Sequence, residues 1–173
     1  MSASEIDRTL VRLAHEILER NNGAENLLLV GIERRGIPLA QRLAQTLGEI
    51  ESVQPRVEKL DVTLYRDDLS NATQRPVADT IRPEFSVDGK NIILVDDVLF
   101  TGRTTRAALE ALLAYGRPRR VELCVLIDRG HRELPIFANY VGRTIQTSEN
   151  EVIEVRLREV DNEDRVVLSE KTA

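Results

Sequence analysis

Apolar residues near the start of the chain recur at helical spacing. Ile6, Leu10, Leu13, Ala14 and Ile17 share one face of a segment spanning 4–21, while Arg8, Arg12, His15 and Glu19 share the other. Ser4, with Asp7 three positions later, suits the N-cap, and Asn22-Gly23 suits the end. Segments 27–30, 91–95 and 121–127 are short continuous apolar runs, the pattern of strands buried on both faces. Between them, 36–47 and 104–115 carry helical spacing, the second closed by Gly116 and Pro118. Segment 56–65 alternates as a strand does. Strands alternating with helices predict an α/β fold, a mainly parallel twisted sheet with helices on both faces. Segments 140–144, 151–158 and 165–169 predict small terminal strands, with 161–164 as a hairpin turn. Residues 66–87 are polar and broken by Pro76 and Pro83, a loop long enough to be expected to serve function. The 173 residues suit a single domain over 1–173.

Hydrophobic residues at 42% and charged residues at 31% are the mix of a globular protein with one sizeable core. There is no apolar run long enough to span a bilayer, so no membrane partner is expected. The first residues lack the basic-then-apolar order of a secretion signal. The single cysteine, Cys124, sits in an apolar run and reads as a buried thiol without a disulfide. Together these features predict a cytoplasmic location. A net charge of −5 argues against a general polyanion binder and leaves room only for a local basic patch.

The informative stretch runs from Ile92 to Thr105: Ile92-Ile93-Leu94-Val95, then Asp96-Asp97, then Val98, Leu99, Phe100, Thr101, Gly102, Arg103, Thr104 and Thr105. A buried strand leads to two carboxylates, and a loop of hydroxyls with one glycine opens a helix. Free N–H groups at a helix start favour an anion, as does the helix dipole. Gly102 lets backbone approach closely. Asp96 and Asp97 would repel a phosphate, but they suit ribose hydroxyls and a shared Mg²⁺. A bare Asp-Asp pair would read as a turn; the whole string reads as a ribose-phosphate site. Gly89-Lys90 lacks the glycine and hydroxyl partners of a Walker A loop.

That string resembles the phosphoribosyl pyrophosphate (PRPP) signature of type I phosphoribosyltransferases. Four more segments resemble the PyrR family, pyrimidine-operon regulators with uracil phosphoribosyltransferase activity. They begin at Arg12-Leu13-Ala14-His15, Gly31-Ile32-Glu33-Arg34-Arg35-Gly36, Leu64-Tyr65-Arg66-Asp67 and Asp128-Arg129-Gly130-His131-Arg132. The resemblance covers almost the whole chain.

It implies the fold of that superfamily, with a flexible hood over 65–83 that carries Arg66 and Arg75. It implies that Arg34 and Arg35 neutralise the leaving diphosphate. With Asp96 and Asp97 they make the catalytic set, and Mg²⁺ is the cofactor, held by Asp96 and Asp97 indirectly or through substrate. PRPP or UMP would meet Arg34, Arg35, Arg66, the 96–105 stretch, Asp128 and Arg129, the last two beside the base. The substrates are PRPP and uracil, the product UMP. The family's second role implies UMP- or UTP-responsive binding of pyrimidine-operon leader mRNA through Arg8, Arg12, His15, Arg20, His131 and Arg132. Val11 and Phe137 depart from the family pattern at that face, each removing a polar contact. A homodimer or higher homo-oligomer is implied as well. Two rival readings stand beside this one. The first is transfer to another base: orotate would need an added cation, and a purine a stacking ring such as Phe137 or Tyr140. The second is a nucleotide-sensing RNA binder without turnover.

Overall fold

A computed structural model describes residues 1–66 and 85–171. Among them the order is α1 (Ala3–Asn21), β1 (Leu27–Ile32), α2 (Gly36–Glu51), β2 (Arg56–Leu60), a 3₁₀ turn (Thr63–Tyr65), β3 (Asn91–Leu99), α3 (Arg103–Leu113), β4 (Arg120–Asp128), β5 (Tyr140–Thr144), β6 (Glu151–Arg156), α4 (Arg158–Asp161) and β7 (Arg165–Glu170).

Five strands form a parallel sheet in the order β2-β1-β3-β4-β5, and β6 pairs with β7 as an antiparallel hairpin. Side chains alternate across the central strand β3. Ile93 and Val95 join the core under α1 and α2, whereas Ile92 and Leu94 join the core under α3. The α/β class with helices on both faces is therefore as the apolar pattern predicts. Cys124 is buried in the first core, and burial pushes its thiol up to about 12.

Four boundaries differ from expectation, each for a local reason. The cap of α1 is Ser2, not Ser4. Glu5 at the third helical position reaches back to the Ser2 N–H at 2.8 Å, and the Glu5 N–H returns to Ser2 Oγ at 3.4 Å. The chain start is also pinned, because the Met1 ammonium donates to the Val166 carbonyl at 2.7 Å. Strand β2 stops at Leu60, opposite Ile32, where its partner β1 ends; Asp61 then turns the chain by accepting from the Thr63 N–H at 2.8 Å. Strand β3 runs on to Leu99 because β4 continues alongside, pairing Val98 with Ile127 and Leu99 with Asp128. Finally, the predicted turn at 161–164 is the end of a longer connection that contains α4.

Strand β5 is the sheet's outer edge, and α1 covers it. Arg12 donates to the carbonyls of Val141 and Gly142 at 3.1 and 2.6 Å, and Arg20 to that of Asn139 at 3.0 Å. The hairpin is fastened to α2 by Arg42, which reaches Glu159 at 2.9 and 2.6 Å and Asp164 at 2.6 Å. No helix among the described residues is long and apolar enough to cross a membrane.

Candidate active site

A cavity of about 260 Å³ lies beyond the carboxyl end of the sheet, lined by Arg66 and by every residue of 98–105. The predicted ribose-phosphate wall is thus one continuous surface, where open α/β sheets place their ligands. Gly102 holds a φ of +90°, and a Cβ there would lie 3.3 Å from Ile136 Cβ. Its carbonyl accepts the Arg106 N–H at 2.9 Å, which starts α3. The N–H groups of Thr104 and Thr105 fall in the first helical turn, where no intrahelical acceptor exists. Arg103 is exposed and pairs with Glu133 at 2.6 Å. Arg106 donates to the Tyr65 carbonyl at 2.6 Å, tying the start of the following loop to α3. The proposed hood beyond Arg66, including Arg75, lies outside the described residues.

Asp96 and Asp97 stand within β3, not at a solvent-facing strand end as expected. Asp96 is only 8% exposed. Regular alternation lapses at this point, since Val95 and Val98 both pack against the core under α1 and α2. Asp97, half-buried, lines a second cavity of about 340 Å³ with Arg35, Asp161 and 153–156. Each carboxylate accepts the next residue's N–H at 2.9 Å. Burial raises the proton affinity of both, that of Asp96 well above its ordinary value; the Asp97 charge adds to this at Asp96, while hydrogen bonds from Asp96 and the Val98 N–H, and then the Arg35 charge, oppose it at Asp97. Two carboxylates alone do not make a protein cage, and no cluster of three metal-ligating side chains occurs among the described residues. That donor set fits Mg²⁺ only where substrate oxygens complete the shell, which is how this ion is commonly held.

The loop between β1 and α2 packs with little space. A Cβ on Gly31 would lie 2.6 Å from Ile37 Cα, and one on Gly36 would lie 2.3 Å from the Val95 carbonyl oxygen. The Glu33–Arg34 peptide is cis. Arg34 is exposed, with no partner among the described residues. Arg35 is not similarly open: its Nε and Nη2 hold the two oxygens of Asp161 at 3.0 and 2.8 Å. The two arginines expected to act alike are thus set differently.

The segment after β4 backs the loop between β3 and α3. Asp128 does not pair with Arg129, the structural alternative for these two residues; its partner is Arg132, at 2.5 Å. Arg132 also donates to the carbonyls of Ile136, Leu99, Phe100 and Gly130. Expected at an RNA face, Arg132 is half-buried and its guanidinium holds this loop together. Arg129 is 5% exposed, bonded to Thr147 Oγ1 and to the carbonyls of Ser148 and Glu151. Its guanidinium lies 4.1 Å over the Phe100 ring. His131 packs edge-on against the same ring, with Nε2 at the Thr147 carbonyl. Tyr140, a candidate purine stacker, is buried with its hydroxyl on Glu122, and Phe137 is 77% exposed.

Of the α1 residues expected at an RNA face, Arg8 and His15 are exposed without partners among the described residues. Arg12 and Arg20 are exposed but engaged with β5. Sequence reasoning missed Arg106 and Asp161. Asp161 carries no motif, and Asp128 and Arg132 lie outside any helix, so their four-residue spacing gave no sign of the Arg132 anchor.

The fold is that of a phosphoribosyltransferase, and residues 2–160 match the family model described as a phosphoribosyl transferase domain. The chain is 57% identical over 171 residues to the bifunctional protein PyrR of Thermus aquaticus, covering 99% of this chain and 94% of that one. It is 54% identical over 168 residues to that of Deinococcus radiodurans, covering 97% and 92%. It therefore belongs to the PyrR family. In fold alone it resembles the hypoxanthine phosphoribosyltransferase of Trypanosoma cruzi, with a TM-score of 0.74 at 20% identity over 99% of this chain and 95% of that one.

Proposed function

We propose that the chain transfers ribose 5-phosphate from PRPP to uracil, giving UMP and diphosphate, and regulates pyrimidine genes by binding leader RNA in response to UMP or UTP. The observation that carries the first part is the unbroken wall 98–105, with α3's first turn at its end. The 5-phosphate sits at that turn, met by N–H groups and the hydroxyls of Thr101, Thr104 and Thr105. Asp96 and Asp97 accept from the ribose hydroxyls. Arg34 meets the diphosphate.

As the C1–oxygen bond breaks, its electrons leave with diphosphate and the sugar gains oxocarbenium character. Uracil nitrogen bonds to C1 from the other face and releases its proton to solvent. The protein's part is positioning and charge stabilisation, without a covalent intermediate. Mg²⁺, when bound through substrate oxygens near Asp96 and Asp97, supplies further neutralisation of the departing charge. Uracil is neutral, which suits backbone groups at 127–129 and the Phe100 ring. The loss of Tyr140 as a stacking partner weighs against a purine. The protein works in the cytoplasm as a homodimer or higher homo-oligomer.

A screen of uracil, orotate and hypoxanthine with PRPP and Mg²⁺, reading diphosphate release, tests the enzyme assignment. Release with uracil alone is expected; release only with another base overturns it.

A further inference from the structure

The loop 31–36 is held from outside itself. Arg35 meets Asp161 through a two-pronged fork, which fixes the plane of the guanidinium as well as its position. Asp161 Oδ2 also accepts the Leu157 N–H at 2.9 Å, so the carboxylate is fixed to α4. Arg42 fastens α4 to α2 through Glu159 and Asp164. Arg35 and Asp161 share a cavity with Asp97. One guanidinium therefore stands between a carboxylate of the terminal hairpin and a carboxylate of the ribose site, with Nη1 outside the fork.

We propose that Asp161 is a positioning residue for the diphosphate end of PRPP: through Arg35 it orients the turn 33–35 so that Arg34 and Nη1 of Arg35 face the leaving group. This rests on the phosphoribosyl-transfer reading above. A partly exposed ion pair adds little to stability. Its use here lies in orientation, because a turn already held in place loses less freedom when ligand arrives. The opposite role, a competing anion that keeps Arg35 from diphosphate, carries the opposite sign in the test.

Calorimetric titration of inorganic diphosphate and of PRPP, each with Mg²⁺, is run on the wild type, Asp161→Asn, Asp161→Glu, Arg35→Gln and the Arg35→Gln/Asp161→Asn double variant. Steady-state kinetics with uracil accompany it. Asp161→Asn is expected to weaken both ligands about tenfold while KM for uracil stays within about twofold. The double variant should bind no more weakly than Arg35→Gln alone. Asp161→Glu keeps the charge and should recover part of the loss; if Asp161→Asn fails to fold, a smaller weakening confined to PRPP and diphosphate in Asp161→Glu gives the same answer. Unchanged or tighter PRPP binding overturns the proposal, as does an additive double variant or an equal loss for uracil. A wild type that binds PRPP with this Asp161 dependence but does not turn over uracil supports the proposal and overturns the base assignment. A wild type that binds no PRPP overturns both.

Discussion

Arg132 donates to the carboxylate of Asp128 four residues earlier, and the same guanidinium holds the carbonyls of Leu99 and Phe100. The pair thus ties the end of β4 to the first residues of the loop between β3 and α3. Arg132→Ala would remove the cation that faces Asp128 Oδ2 and the side-chain donor to the carbonyls of Phe100, Gly130 and Ile136, while Asp128 Oδ1 keeps the Gly130 N–H and Leu99 keeps the Arg129 N–H. A loss of about 3 kcal/mol in urea unfolding is expected, from the usual scale of charge-assisted bonds. PRPP affinity should fall with it. A variant as stable as wild type would show that the loop is held by other contacts.

The adjacent carboxylates of β3 should respond to substitution in two ways. Replacing both, as Asp96→Asn/Asp97→Asn, should slow turnover or weaken PRPP at least about tenfold. Stability should move differently. The Asp96 carboxyl has a folded proton affinity raised by burial and by Asp97, above its ordinary value of 3.8. Its favourable contribution is therefore fully present below that ordinary value and is lost as pH rises through the folded one. Asp96→Asn should accordingly melt higher than wild type at neutral pH, with the gap closing in acid. A gap independent of pH would show that Asp96 is charged and satisfied in the fold.

The hairpin fastening has the opposite sign. The Asp161 carboxyl is held down to about 2 by Arg35 and the Leu157 N–H. Arg42 lowers Glu159, and it lowers Asp164 against the effect of burial. Depressed carboxyls contribute fully above their ordinary values and lose that contribution as pH falls through the folded ones. Amide protection in β6 and β7 should fall between about pH 5 and about pH 2, earlier than in β3. Arg42→Met should weaken that dependence. Simultaneous loss in both sheets would mean that the hairpin opens only with the whole fold.

The RNA role, if carried by α1, falls to the side chains that the fold leaves open. Arg8→Ala/His15→Ala should weaken binding to pyrimidine-operon leader RNA and make its salt dependence shallower by about one contact's worth. Uracil turnover should be unchanged. Wild-type protein showing no UMP-dependent RNA binding would remove the regulatory role altogether.

Apolar periodicity was enough to place β1 to β4 and the three long helices, because each buried strand and each amphipathic face is a local pattern; β5, read as a small terminal strand, instead joins the parallel sheet beside β4. The errors came where a distant partner decides. Alternation carried β2 on to Tyr65, but β1 ends at Ile32 and leaves nothing to pair beyond Leu60. The cap was read two residues late because Ser4 and Asp7 match a cap pattern as well as Ser2 and Glu5 do. At the site, the string 96–105 was legible because its residues are contiguous and line one cavity. The fates of Arg35 and Arg132 were not. A guanidinium reads as a free cation until its acceptors are known, and those acceptors lie as far away as Asp161 and Leu99.

Because Arg12 and Arg20 lie on the carbonyls of Val141, Gly142 and Asn139, that margin of the sheet is closed to strand addition. A neighbouring molecule arriving there meets guanidinium groups instead of open backbone acceptors. The helix that guards this margin also bears Arg8 and His15, so the same element can receive a polyanion while resisting growth into fibres.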